Sequence, residues 1–188
     1  MGDATVQVLA ICGSLRSGSY NRMALRAAIA AAPANLRFDE GTIGDLPLYN
    51  EDLRESGEPD AVLRLKHQVA AADAILFATP EYNYSMPGVL KNAIDWISRP
   101  PSTSPFAGKP AAMLGASAGR MGTVRSQLHL RQTCQALGML VMPGPEVLIG
   151  PAQKVFGPDG ATDEATAQVI ARFMAAFAGW AARLKATG

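Results

Sequence analysis

The sequence predicts an α/β fold, a doubly wound sheet of five parallel strands with helices on both faces. Short apolar runs of strand length alternate with longer helical segments along the chain. These runs are continuously apolar rather than alternating, which marks strands buried on both faces. Five such β–α pairs fit within 188 residues, and right-handed crossovers leave few arrangements for them.

The first strand is Val6-Gln7-Val8-Leu9-Ala10-Ile11, running into Cys12-Gly13-Ser14. A polar loop, Gly13 to Ser19, feeds a helix over about Tyr20–Ala32 that Pro33 stops. Leu36–Ile43 is the second strand, and Gly44–Glu51 a long loop with apolar members. Pro59 and Asp60 open a helix whose apolar face is Val62, Leu65 and Val69. Ala74–Thr79 is the clearest buried strand, ending in the turn-rich, aromatic loop Pro80–Pro87. Leu90, Ala93, Ile94 and Ile97 mark the next helix, ended by Pro100 and Pro101. Pro110–Ala116 is the fourth strand, followed by the loop Ser117–Gly122 and a helix over about Thr123–Leu137. Gly138 stands where a left-handed C-terminal residue is wanted. Met139–Met142, with Val147–Ile149 as an extension, is the last strand. Thr162 and Asp163 start a final helix with Ile170, Phe173, Phe177, Trp180 and Leu184 in one apolar stripe.

Composition narrows the function. A mass of 19.7 kDa suits one domain over residues 1–188. With 17 Lys+Arg against 16 Asp+Glu and no basic block, no nucleic-acid partner is expected. No apolar run reaches membrane-spanning length, and the start of the chain, with Asp3, does not resemble a signal peptide. Two distant cysteines, Cys12 and Cys134, make neither a disulfide framework nor a metal site, so a cytoplasmic location is expected. Both thiols are expected to be buried and inert. His67 and His129 have no partner at metal-ligand spacing.

Ligands of open α/β sheets bind at the carboxyl ends of the strands. Three unusual loops leave such ends. Gly13–Asn21 combines the small hydroxyls Ser14, Ser17 and Ser19 with Arg16 and a helix N-terminus. That donor set suits a phosphate. It contains neither a Walker lysine nor the Gly-x-Gly-x-x-Gly pattern, which disfavours an NTPase or an ordinary dinucleotide dehydrogenase. Pro80–Pro87 places Tyr82 and Tyr84 around Asn83, stacking area suited to a flat heteroaromatic ring. Ser117-Ala118-Gly119 is small enough to pass close to a ring edge. Plain helix capping, a rigid surface turn and a strand-to-helix turn are the corresponding structural alternatives.

Gly13-Ser14-Leu15-Arg16-Ser17-Gly18-Ser19-Tyr20-Asn21 resembles the phosphate loop of the NADPH-dependent FMN reductase family. The run from Pro80-Glu81-Tyr82-Asn83-Tyr84-Ser85-Met86-Pro87 to Asp95-Trp96 resembles that family's flavin-ring loop and following helix. Gly122–Gln132 is similar to its quinone and chromate reductase branch. The resemblance implies a flavodoxin-like fold with strand order 2-1-3-4-5, bound FMN, NADPH or NADH as reductant, and a homo-oligomer, dimer or tetramer. It implies that Ser14, Arg16, Ser19 and Asn21 hold the phosphate, with Tyr20 beside them. Pro80, Glu81, Tyr82, Asn83 and Tyr84 border the isoalloxazine, with Ser117 and Gly119 near its other edge.

The implied chemistry is ping-pong. The reductant delivers hydride to FMN, leaves, and a small acceptor such as a quinone, chromate or an azo dye takes the electrons. No catalytic side chain is nominated; Glu81 has a structural role on this reading. Arg120 and Arg125 are candidates for a nucleotide phosphate or a subunit contact, and the sequence does not choose between them. The competing reading is a flavodoxin-type electron carrier that binds FMN without an NAD(P)H site. Near-neutral charge argues against it, because such carriers are usually acidic. Leu46–Leu53 is the candidate contact with a partner subunit, with Leu48 and Tyr49 as its exposed apolar members.

Overall fold

The structure, a computed structural model, describes residues 5–186. Asp3, on which the reading of the chain start partly rests, lies outside them. One parallel sheet runs through the molecule. Its strands are β1 (Val6–Cys12), β2 (Leu36–Gly41), β3 (Ala74–Ala78), β4 (Pro110–Ala116), β5 (Leu140–Val141) and β6 (Val147–Ile149). The order is β2-β1-β3-β4-β5, and β6 also pairs with β4. β5 meets the start of β4 at Pro110 and Ala111, whereas β6 meets its end at Leu114–Ala116. The expected fifth strand is therefore two short strands sharing one edge position. Pro143-Gly144-Pro145 lies between them, and proline cannot continue a ladder.

Alternate residues of each strand feed two cores. Val8, Ala10 and Cys12 of β1 pack with Ala24, Leu25 and Ala28 of α1 (Tyr20–Ala30) and with Ile170, Phe173 and Phe177 of α6 (Glu164–Lys185). Leu9 and Ile11 face the opposite side, with Leu65 and Val69 of α3 (Asp60–Ala71), Leu90 and Ile94 of α4 (Gly88–Ile97) and Leu130 and Cys134 of α5 (Val124–Ala136). A period of two along strands and of 3.6 along helices produces this three-layer packing directly.

Some boundaries differ from expectation. The first helix closes at Ala30, and the second strand stops at Gly41. Ile43, expected at the end of that strand, is buried in the loop beyond it. A short helix, α2 (Glu51–Ser56), occupies part of the expected Leu46–Leu53 loop. It buries no residue, so it carries no apolar periodicity to announce it. Gly138 follows α5 at φ 71°, the left-handed residue expected there.

Candidate functional site

Backbone hydrogen bonds bring the three loops to one edge. Gly13 N–H donates to the Ala78 carbonyl (2.8 Å), Thr79 N–H to Leu114 (3.0 Å) and Ser117 N–H to Ile149 (2.9 Å). The ends of β1, β3 and β4 are thereby in step. β1 lies between β2 and β3, so the chain winds both ways from this point and leaves a crevice beside it. Little room separates β4 from the layer beneath. A Cβ on Gly115 would come within 2.0 Å of the Thr123 hydroxyl and 2.4 Å of the Thr79 carbonyl.

A cleft of about 210 Å³ opens at that edge. Ser14, Arg16, Ser19, Tyr20 and Asn21 line it from the first loop, Pro80, Glu81 and Tyr82 from the second, and Ser117 from the third. Ala116 and Ala118 line it too; the sequence reading did not single them out, because alanine offers no chemical signal. Asn83, Tyr84 and Gly119, expected at the ring, do not line the cleft. A larger cleft of about 720 Å³ lies between α1 and the 158–162 turn. Met23, Arg26, Ala27 and Ala30 of α1 wall it on one side and residues 158–162 on the other, and none of the three strand-end loops reaches it.

Within the first loop the donors are unspent. The N–H groups of residues 15–18 have no acceptor among the described residues, and they precede the N-terminus of α1. Ser19 caps that helix, its Oγ accepting from Arg22 N–H at 3.3 Å. The Ser19 side chain also lines the cleft. Ser14 and Ser19 are buried, and Arg16 is exposed above them. Asn21 lines the cleft and is also engaged in structure. Its amide donates to the Ala116 carbonyl (2.8 Å) and accepts from Ala116 N–H (2.9 Å), so it clasps α1 to the end of β4. Tyr20 stacks on Phe156 with centroids 5.9 Å apart.

The second loop folds tightly. Tyr82 and Ser85 exchange both N–H···O=C bonds (2.9 and 3.0 Å), with Asn83 at φ 49° and Tyr84 at φ 70° between them. Two successive left-handed residues make a mirror-image turn. Asparagine tolerates that backbone, while tyrosine is strained in it. Strained residues cluster where a loop serves a site.

Glu81 serves structure, as expected, but through partners distant in sequence. Its carboxylate accepts from Arg125 N–H (2.9 Å), Ser126 N–H (3.3 Å) and Arg125 Nε (2.6 Å). Thr123 makes no side-chain cap bond, so Glu81 caps α5 from another segment. Burial pushes the Glu81 carboxyl up, yet Arg125 and the two N–H groups outweigh it and hold it below the usual carboxylate range. Arg125 in turn lies 3.7 Å over the Tyr84 ring. Cys12 and Cys134 are buried, and burial pushes the Cys134 thiol up to about 12, far from a reactive thiolate. His129 Nδ1 lies 3.0 Å from Ser85 Oγ.

A sequence model of NADPH-dependent FMN reductases matches residues 6–154, spanning all three loops. The chain belongs to the NADPH-dependent FMN reductase family. Members of this family similar to it over nearly their whole length include an NAD(P)H-dependent FMN reductase of Pseudomonas aeruginosa. That protein is 53% identical over 181 residues, covering 96% of this chain and 97% of its own. A 2-hydroxy-1,4-benzoquinone reductase from a Burkholderia species is 41% identical over 93% of this chain and 96% of its own. Among solved structures, the flavoenzyme NAD(P)H:(acceptor) oxidoreductase FerB from Paracoccus denitrificans superposes with a TM-score of 0.88. It is 39% identical and covers 95% of this chain and 98% of its own. The strand order 2-1-3-4-5 that the resemblance implied is the one observed.

Proposed function

We propose that the protein is an NAD(P)H-dependent FMN oxidoreductase that passes electrons to a quinone or similar small acceptor. The carrying observation is the convergence of three strand-end loops on one cleft whose first loop holds unpaired N–H groups. That donor set fits a phosphate. Free N–H groups at a helix N-terminus, the Ser14 and Ser19 hydroxyls and the Arg16 guanidinium match its oxygens in number and charge. FMN, when bound, supplies the hydride and electron transfer. The chain's own residues bind and orient it. Ser14, Arg16 and Ser19 hold the phosphate, with Asn21 keeping that loop in register and Tyr20 beside it. Pro80, Glu81, Tyr82 and Ser117 border the ring, and Asn83, Tyr84 and Gly119 stand outside them. The exposed face of Tyr82 leaves room for the reductant and then the acceptor to stack in turn.

The name of the Burkholderia relative supports quinones as acceptors; chromate and azo dyes are tried in the same assay. Two buried free thiols and use of NAD(P)H suit a reducing cytoplasm. We also read the protein as a homo-oligomer, dimer or tetramer, touching through the loop before α2. Leu48 is 83% exposed there. Tyr49 is not free for such a contact: its ring packs edge-on to Trp96 at 5.0 Å and its N–H donates to Asn92.

Anaerobic absorbance of the FMN-reconstituted protein, before and after NADPH or NADH, tests the central reading. Rapid bleaching of the bound flavin is expected. Bound flavin that stays oxidised with both nucleotides would overturn it in favour of an electron carrier.

A further inference from the structure

The Tyr82–Ser85 turn is held from outside itself. Its two central residues are left-handed without being glycine, so it needs external support. One helix supplies that support. From α5, the Ser126 hydroxyl donates to the Pro80 carbonyl (2.8 Å), and His129 Nδ1 meets the Ser85 hydroxyl (3.0 Å). Arg125 reaches furthest. One guanidinium is bonded to the Glu81 carboxylate, whose side chain is only 6% exposed, and its central carbon stands 3.7 Å from the centroid of the exposed Tyr84 ring. Glu81 is fixed in turn by the N–H groups of α5, so Arg125 cannot follow the turn if it moves.

We propose that Arg125 is a positioning residue. By pinning Tyr84 from α5 it fixes the strained turn, and through the turn the place of Tyr82 on the rim of the cleft. It thereby sets how a flat acceptor is seated. The substrate part of this rests on the flavin-reductase reading above; the turn part does not. A guanidinium suits the task because it is flat, always charged and able to bond at its edge while stacking on its face. Lysine retains the charge and loses the stacking plane.

Amide hydrogen exchange on the protein without flavin reads the turn directly, through the paired Tyr82 and Ser85 N–H groups. Arg125→Ala is expected to speed both by about fivefold, the scale of one exposed cation–π contact. Arg125→Lys falls between it and the parent. Tyr84→Ala has an effect of similar size, and the double variant exchanges less fast than the sum of the two single effects, because both changes break the Arg125–Tyr84 contact. In the FMN-loaded protein, Arg125→Ala raises KM for a benzoquinone by a larger factor than it lowers kcat. Unchanged exchange at Tyr82 and Ser85 in a folded variant overturns the proposal, as do additive effects or an unmoved KM. If Arg125→Ala does not fold, Tyr84→Ala decides, since its ring is exposed and no core is lost. Should the parent protein bind no flavin, the functional reading fails, and the exchange result still decides whether Arg125 holds the turn. If the parent turns over normally while exchange is unaffected, the positioning role fails alone.

Discussion

Ser19 has two duties that one substitution confounds and a pair of substitutions separates. Its oxygen caps α1, and its side chain lines the cleft. Ser19→Ala removes both and is expected to cost about 1 kcal/mol of stability as well as flavin affinity. Ser19→Gly keeps most of the capping benefit, since glycine is nearly as good an N-cap. Equal loss of FMN affinity in both variants, with stability lost only in Ser19→Ala, is the expected outcome. Urea unfolding and quenching of flavin fluorescence measure the two. Full retention of affinity in Ser19→Gly would leave Ser19 a cap and nothing more. Asn21 shows what single residues conceal in a sequence. It stands in a phosphate-like loop, yet its amide is committed to Ala116, 95 positions away. No local pattern announces a partner that distant.

Among the elements, legibility followed burial. β1, β3 and β4 are almost wholly buried and read as unbroken apolar runs. α3, α4 and α6 bury their expected stripes, Trp180 and Leu184 of α6 lying partly buried at its edge. What escaped prediction has little buried surface or depends on distant partners: α2, the divided edge strand, and the capping of α5 by Glu81. The loop before α2 also gains definition. Asn92 and Trp96 of α4 both donate to the Pro47 carbonyl at 2.8 Å, and Asn92 accepts from Tyr49 N–H. Leu48 is thus held outward between two pinned neighbours. Leu48→Glu should lower the mass seen by light scattering while leaving the circular dichroism spectrum unchanged. Replacing Tyr49 as well would disturb its packing on Trp96 and blur the result. An unchanged mass for Leu48→Glu would remove this loop from the subunit contact.

For the whole molecule, two ion pairs tie distant parts together and contribute to its response to acid. Lys185 in the last turn of α6 bonds Asp73 (2.6 Å), just before β3, and the Thr5 carbonyl before β1. Burial pushes the Asp73 carboxyl up, but Lys185 and Gln7 N–H outweigh it, so it lies below its ordinary value, as Glu81 does. A carboxyl depressed by folding binds fewer protons folded than unfolded. Its stabilisation is complete above the unfolded value and is lost as pH falls through the folded one. Unfolding stability should therefore hold from neutrality to about pH 5 and decline below about pH 4. Asp73→Asn and Glu81→Gln should each flatten that decline in urea titrations at stepped pH. A decline equally steep in both variants would assign it to other groups.

The divided edge strand also bears on how the molecule behaves among its neighbours. An open sheet edge invites another chain to add a strand, the usual first step of fibrillar association. Here β5 and β6 are two and three residues long and out of line with each other. Carbonyls along this border also take bonds from helix side chains. Trp180 Nε1 donates to the Leu140 carbonyl (2.9 Å), Arg131 to Met142 (2.9 Å) and Gln127 to Val147 (3.0 Å). At the opposite edge, β2 presents Arg37, Asp39 and Glu40. The β5–β6 border is too short and broken to offer an incoming strand a continuous ladder, and the charges on β2 disfavour pairing there, so copies of this chain are expected to meet through helices and loops.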